Sequence, residues 1–376
     1  MKSKTVFQLW ALLVLTAFFT SCEKEHRHFC GADDTITTTT KVFSKGFNNP
    51  RGLKFGPDGY LYVAEGGIGG KNSSKECDQV IPPVGPYTGD VTGSRISRVD
   101  NGGSRSTWVD NLPSSVNALG DVSGVGDVAF IENTLYAIIT GAGCSHGVQT
   151  IPNSVIKIHP DRSWTQVADL SNYLRHHSVA HPEPDDFEPD GDWYSMTSVG
   201  NDLYAVEANH GELDRISTNG TITRIIDVSA TYGHIVPTVH AFRNGNFYVG
   251  NLDTFPAPHG ESSVYKVTPG GQISPYATGF NMILGIAFDK SGALYVLEMT
   301  TNNPFPTPGT GDIVRIDPSG TRQVITTGLT FPTGMTIGHD GKIYVSNKGF
   351  GFPPGEGEVL QISFKCEEVS AKVKGE

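Results

Sequence analysis

What the chain lacks narrows its chemistry first. It has no Cys-x-x-Cys pair, no His-Glu-x-x-His, no Gly-x-Ser-x-Gly and no phosphate-binding glycine loop. Clustered-thiolate zinc ligation, zincin-type hydrolysis, a nucleophile elbow and a Walker-type nucleotide site therefore find no support. Basic residues are scarce. The 28 Lys and Arg face 39 Asp and Glu, a net charge of −11, which argues against a nucleic-acid partner because that partner needs a basic face. Charged residues are only 18% of the chain, too few for a disordered polyelectrolyte. Helical patterns of normal length are missing beyond the N-terminus, except for a turn around Ser171 to Arg175. The N-terminal apolar run, Val6 to Phe19, is short of the about 20 residues that a membrane span needs.

Turn chemistry, by contrast, is abundant, with 45 Gly and 23 Pro. The stretch from Pro50 to Glu65 reads strand, turn, strand: Leu53 and Phe55 alternate, Pro57-Asp58-Gly59 turns the chain, and Leu61-Tyr62-Val63 is a buried strand. Its apolar-Tyr pair returns at Leu135-Tyr136, Leu203-Tyr204, Phe247-Tyr248, Leu294-Tyr295 and Ile343-Tyr344, each time behind a turn signal such as Asn244-Gly245 or Asp340-Gly341. Repeats of this period mean a solenoid, a propeller or an array. The segments group into five complete four-stranded units and a sixth with three strands. The unpaired strand Thr35 to Ser44 supplies the missing one, which closes a ring and removes two open edges. The fold expected is all-β, a six-bladed β-propeller whose last blade is closed by the N-terminal strand.

The N-terminus reads as an export signal. Lys2 and Lys4 precede the apolar run, and Phe19-Thr20-Ser21-Cys22 resembles a bacterial lipobox, with Phe19 in place of the commoner Leu. The expected organisation is a lipoprotein-type signal peptide over 1–21, a tether over 22–34 beginning at a lipidated Cys22, a propeller over 35–366 and a polar tail over 367–376. An ordinary secretory signal is the alternative, and both place the protein outside the cytoplasm. Four other cysteines, Cys30, Cys77, Cys144 and Cys366, permit two disulfides in three connectivities. Antiparallel closure of the last blade brings Cys30 to Cys366, and leaves Cys77 and Cys144 on long loops of neighbouring blades.

Loops joining second to third strands carry the insertions, Gly66 to Gly93 and Met299 to Thr310 among them. The functional face is expected there, around the channel mouth. One recurring position, three residues after each Tyr, holds Glu65, Ile139, Glu207, Asn251, Glu298 and Asn347. Sixfold recurrence favours backbone capping over metal ligation. The innermost strands start at Arg51, Gly126, Tyr194, Thr238, Leu284 and Thr333, a ring without the carboxylates that a hard cation requires. Arg51 suits an anion or carboxylate, with a salt bridge to a neighbouring loop as the structural alternative. His176, His177 and His181 lie among Asp185, Asp186, Glu188, Asp190 and Asp192, interrupted by prolines, and read as a solvated loop rather than a metal cluster. His210 suits a general base or proton shuttle, against a structural bond to a loop carbonyl. Trp193 and Tyr194 offer stacking area, against plain packing between blades.

Beside this residue reading stands a resemblance. Asn48-Asn49-Pro50-Arg51-Gly52-Leu53, Gly126-Asp127-Val128-Ala129-Phe130, the segment from Asp186 to Met196, the segment from Ala205 to Ile216, and Tyr248-Val249-Gly250-Asn251-Leu252 with Phe255-Pro256 resemble the ScyD/ScyE family of exported propellers, and NHL-type propellers more broadly. The resemblance covers roughly residues 40–363. It implies a fold and little chemistry. Calcium lactonases share the architecture, but their Glu, Asn and Asp set does not match the strand starts here. Quinone-dependent sugar dehydrogenases open blades with a similar phrase. The function expected is a monomeric, membrane-anchored or secreted propeller that binds a small molecule or envelope partner through Arg51, Trp193, Tyr194, Glu207, His210 and Thr333. No metal or cofactor is expected, and the membrane is met only through the anchor. The alternative is a lactonase-like or quinone-dependent dehydrogenase-like enzyme on the same face, with His210 and Glu207 as candidate catalytic groups.

Overall fold

A computed structural model describes residues 34–183 and 187–367. Six antiparallel sheets follow one another along the chain. Blade one is Pro50–Phe55, Leu61–Glu65, Thr88–Val99 and Arg105–Val116; blade two is Val125–Ile131, Thr134–Ile139, Ser154–Ile158 and Trp164–Asp169. Blade three is Trp193–Val199, Asp202–Glu207, Glu212–Ser217 and Ile222–Asp227; blade four is Pro237–Arg243, Asn246–Asn251, Ser262–Val267 and Ile273–Phe280. Blade five is Ile283–Phe288, Leu294–Glu298, Gly311–Ile316 and Arg322–Leu329. Blade six takes Gly334–Ile337, Ile343–Asn347 and Gly357–Glu367 from the end of the chain and Thr35–Phe47 from its start. Each innermost strand packs on the next, and the sixth packs back on the first, so the ring is closed. The architecture is the six-bladed β-propeller expected.

The repeated motif has a physical reason. The turn aspartate accepts the hydroxyl of the second-strand tyrosine: Tyr62 to Asp58 at 2.8 Å, Tyr295 to Asp289 at 3.1 Å and Tyr344 to Asp340 at 3.1 Å. Gly59 and Gly341 take φ of 80° and 77°, which completes the turn at no Cβ cost. Tyrosines of this position, Tyr62 and Tyr344 among them, also pack edge-on against a phenylalanine of the next blade's innermost strand. Tyr62 meets Phe130 at 5.0 Å, Tyr248 meets Phe288 at 4.8 Å and Tyr344 meets Phe55 at 5.0 Å. One residue thus fixes its own hairpin and the blade-to-blade seam.

The closing strand pairs from Thr35↔Glu367 to Phe47↔Gly357, and Thr38 Oγ1 donates to the Ile325 carbonyl of blade five at 2.7 Å. Four local features differ from the sequence expectation. The outer hairpin of blade one begins at Thr88, inside the expected insertion, because Thr88–Ser94 continues the ladder against Leu112–Val116. A fifth short strand, Val122–Ser123, follows it. The expected turn near Ser171 is a helix, Leu170–His176, capped by Asp169, which accepts the Asn172 N–H at 2.8 Å. A second short helix, Ser229–Tyr232, was not expected. Among the described residues no helix is long and apolar enough to cross a membrane.

Cys77 and Cys144 are disulfide-bonded, tying the long loops of blades one and two. Cys366 is also disulfide-bonded. Its expected partner Cys30, Cys22, the signal segment and the tail beyond 367 lie outside the described residues. Ile36 stands opposite Cys366 in the closing ladder, which keeps Cys30 within a short span of chain. Nonreducing peptide mapping is expected to return Cys30–Cys366 beside Cys77–Cys144; a Cys366 peptide joined to any other cysteine refutes this pairing.

Candidate functional site

The recurring acid-or-amide position is a set of latches. Each side chain ends a second strand and bonds the chain arriving from the previous blade. Glu65 accepts the Asn48 N–H at 2.6 Å, Glu207 the Asp192 N–H at 2.6 Å and Asn347 the Thr330 N–H at 2.8 Å. Glu298 accepts the Asn281 N–H, and Asn251 Nδ2 donates to the Ile235 carbonyl at 3.0 Å. In blade two, where Ile139 has no polar group, the backbone N–H of Thr140 bonds Gly124 O at 2.8 Å instead. Glu207 goes furthest. Fully buried, it also accepts the N–H groups of Asn209, His210 and Gly211 at 3.1, 2.5 and 3.2 Å. Both oxygens are then committed to the backbone, so Glu207 holds a loop and presents nothing to a substrate.

The channel mouth is closed rather than open. Tyr194 reaches across to the Thr333 carbonyl at 3.4 Å, and Arg51 lies 5.9 Å from the centre of its ring. Arg51 is bound by a salt bridge to Asp121 and a 2.7 Å bond to the Val122 carbonyl. Of the two roles weighed for Arg51, the loop salt bridge is the one present. Trp193 is fully enclosed, so it packs between blades two and three and offers no face for stacking; the expectation of a stacking role is corrected. Thr333 is buried as well and donates its hydroxyl to Pro50 O at 2.5 Å. The strand starts themselves lack carboxylates, but the connections between blades bring Asp121 and Asp192 to the mouth. Burial pushes the Asp192 carboxyl up to about 7, reinforced by Glu188 and Asp121 and opposed by Arg51 and the Thr140 hydroxyl. The space left beside these groups is about 10 Å³, room for a water at most.

The roomy site lies off the axis on the same face. A cavity of about 540 Å³ opens between the disulfide-tied loops of blades one and two, the described parts of the blade-two to blade-three connection (174–182 and 187–189) and the loop of blade three. Its wall includes Glu76, Asp78, Leu174, Arg175, Val179, Phe187 and His210. Of the six ligand residues expected from sequence, His210 belongs to this wall; Arg51, Trp193 and Tyr194 line the mouth. The His210 Nε2–H donates to the Glu188 carbonyl at 2.9 Å, and Nδ1 has no partner among the described residues. Burial lowers its pKa, so the ring is neutral near pH 7.

His176, His177 and His181 are exposed, as a solvated loop requires, but the acidic end of the connection is not solvated. Glu188 and Asp190 are buried. Asp190 accepts the backbone and hydroxyl of Ser145 at 2.8 and 2.6 Å and binds Arg175 at 2.5 Å. Glu188 accepts the Tyr87 hydroxyl at 2.9 Å and pairs with His146 Nε2 at 3.3 Å. Burial alone lowers the His146 pKa, but the Glu188 contact outweighs it and the pKa is raised. His176 and His177 bond back to helix carbonyls at 2.8 and 2.9 Å and do not converge. Asp185 and Asp186 lie outside the described residues. Sequence reasoning missed Tyr87 and His146. The available signal was the Cys77–Cys144 pairing, which draws their two loops together.

No protein-family model matches the chain, and no curated protein matches it. Among solved structures, an oxidoreductase (glucose dehydrogenase) from Thermus thermophilus is similar with a TM-score of 0.56 and 17% identity, over 87% of this chain and 100% of that one. A gluconolactonase from Xanthomonas campestris gives 0.55 and 9%, over 87% and 90%. The PQQ-bound aldose sugar dehydrogenase from Streptomyces coelicolor gives 0.53 and 14%, over 90% and 100%. At these identities the likeness shows the propeller fold.

One latch carries a pH signature. Asp312 faces Glu298 across the ladder of blade five, and burial, with the hydrogen bond and charge of Glu298, pushes Asp312 from 3.8 up to about 8. The folded state holds this proton more tightly than the unfolded chain. Its stabilisation is therefore full at acid pH and is lost as pH rises toward about 8. Asp312→Asn, which cannot ionise, is expected to shrink by a few degrees the fall in melting temperature between about pH 5 and about pH 9. An unchanged pH profile refutes proton sharing at this latch.

Proposed function

We propose that the chain is an exported, lipid-anchored propeller of the ScyD/ScyE type that binds a small organic molecule in the off-axis cavity of its long-loop face. The cavity carries this reading: about 540 Å³ is within the roughly 300–1,000 Å³ of small-molecule sites. Its wall is a preformed one. The Cys77–Cys144 bond holds one side, and the buried Asp190 and Glu188 pin the other. Leu174, Val179 and Phe187 supply apolar area and His210 a fixed polar edge. The reading calls for no metal or cofactor. Export and anchoring rest on the segment ending at Cys22, and the disulfides suit an oxidising compartment.

A second reading, catalysis on the same face, draws on two observations. Propellers of similar backbone include proteins named as a gluconolactonase and an aldose sugar dehydrogenase. Asp192, with a carboxyl near 7 at the mouth, is poised for proton exchange. Glu207 has no part in this version, because its oxygens serve the backbone, and Arg51 is occupied by Asp121.

A metabolite thermal-shift screen on the mature protein, followed by titration of hits, tests the primary reading. Phe187→Ala is expected to weaken a hit about tenfold or more, and Arg51→Lys to leave it unchanged. Affinity indifferent to Phe187 puts the site elsewhere. Lactone or sugar turnover that disappears in Asp192→Asn overturns simple binding in favour of catalysis. For the anchor, detergent partitioning should send the exported wild type to the detergent phase and Cys22→Ala to the aqueous phase; two aqueous proteins end the lipoprotein proposal.

A further inference from the structure

We infer that the off-axis cavity selects a cationic ligand that donates hydrogen bonds: a protonated amine carried on an apolar or aromatic body. This rests on the reading that the cavity is a binding site and adds the class of molecule it takes.

The evidence is the sign of the charged and imidazole groups on the described wall, where Ser178 adds a hydroxyl that can donate or accept. Glu76 and Asp78 are exposed at the rim, and neither forms an ion pair among the described residues. Among the described residues Arg175 is the one cation of the wall; its side chain is 44% exposed, and the buried Asp190 carboxylate takes one of its N–H groups at 2.5 Å and balances its charge. Lys75, next to Glu76 in sequence, is exposed and is not part of the wall. His210 is 3% exposed. Its Nε2–H is spent on the Glu188 carbonyl at 2.9 Å, so Nδ1 bears a lone pair, and that atom has no partner among the described residues. A neutral imidazole so committed can only accept from a ligand. The Phe187 ring lies 4.9 Å from the His210 ring; the residue is 36% exposed and lines the cavity. Leu174 and Val179 add apolar surface beside it.

These groups together offer negative charge, a lone pair and an aromatic face. The one cation of the described wall, Arg175, is charge-balanced by Asp190 and offers an anion no net positive charge. An anionic ligand would meet repulsion at the rim and an acceptor facing an acceptor inside. An ammonium group gains from the rim carboxylates and from the aromatic face. Its N–H can satisfy His210 Nδ1, a buried acceptor otherwise left unbonded. The apolar body then covers Leu174, Val179 and Phe187.

The test is calorimetric titration of the mature protein with three probes of one shape: phenethylamine, 2-phenylethanol and phenylacetate. Phenethylamine is expected to bind at least about tenfold tighter than 2-phenylethanol, with phenylacetate weaker still, and to lose affinity as salt rises. The double variant Glu76→Gln, Asp78→Asn changes only exposed side chains, so its melting temperature should hold while amine affinity falls about tenfold. His210→Phe should weaken the amine as well, without touching the rim. Binding of the alcohol or the acid as tightly as the amine overturns the charge selection and leaves the cavity reading standing. Binding of none of the three overturns both. Amine binding that ignores the rim and His210 variants also overturns both, since the amine then sits elsewhere.

Discussion

The propeller depends on how each blade takes hold of the chain delivered by the blade before it. A sheet edge can twist and pack, but the connection crossing from an outer strand to the next inner strand is irregular backbone with polar groups to satisfy. Here, in five of the six blades, one side chain at the end of the second strand meets that need: Glu65, Glu207, Asn251, Glu298 and Asn347. The latch is polar and buried, so removing it exposes a cost of about 1–3 kcal/mol for each orphaned group. What stands opposite the latch varies. Arg95 balances Glu65 at 2.9 Å, whereas Asn347 Nδ2 donates to Glu358 at 2.9 Å. The same geometric task is therefore met by three different charge arrangements, including the carboxyl pair of blade five.

Much of this was legible in sequence because it repeats. The Asp-Gly turn, the tyrosine that returns to it and the acid or amide three residues later recur in register, and repetition marks them as architecture. The ring closure was legible for a different reason: a blade short of a strand and a strand short of a blade leave two edges with one solution. The site was less readable. Glu188 and Asp190 sit in a proline-broken acidic run that resembles solvated loop, and the approach of the loops carrying Tyr87 and Ser145 buries them. Trp193 and Arg51 show the converse error. Their residue types suit recognition, but Trp193 is fully enclosed and Arg51 already holds Asp121. Local sequence states what a side chain can do; the neighbouring blade decides whether it is free to do it.

The two halves of the long-loop face accordingly divide the work. At the axis, Tyr194, Arg51 and Asp121 close the mouth and tie blades one, three and six. Off the axis, the loops stand apart and are held by a disulfide and by buried acids, which leaves volume between them. Rigid walls around open space favour binding, because little ordering remains to be done when a molecule arrives.

The closing strand also sets a timetable. Thr35 finds its ladder partner at Glu367, so the first strand to leave a ribosome or a translocation pore waits for the last one. Five blades can assemble on the way, each from neighbouring segments, while the sixth stays open with an unpaired edge on both sides of the gap. Contacts of such long sequence separation are slow to form, and the waiting edges are the adhesive part of an unfinished sheet. A chain cut short by even its final strand would be most of a propeller and still lack the ring.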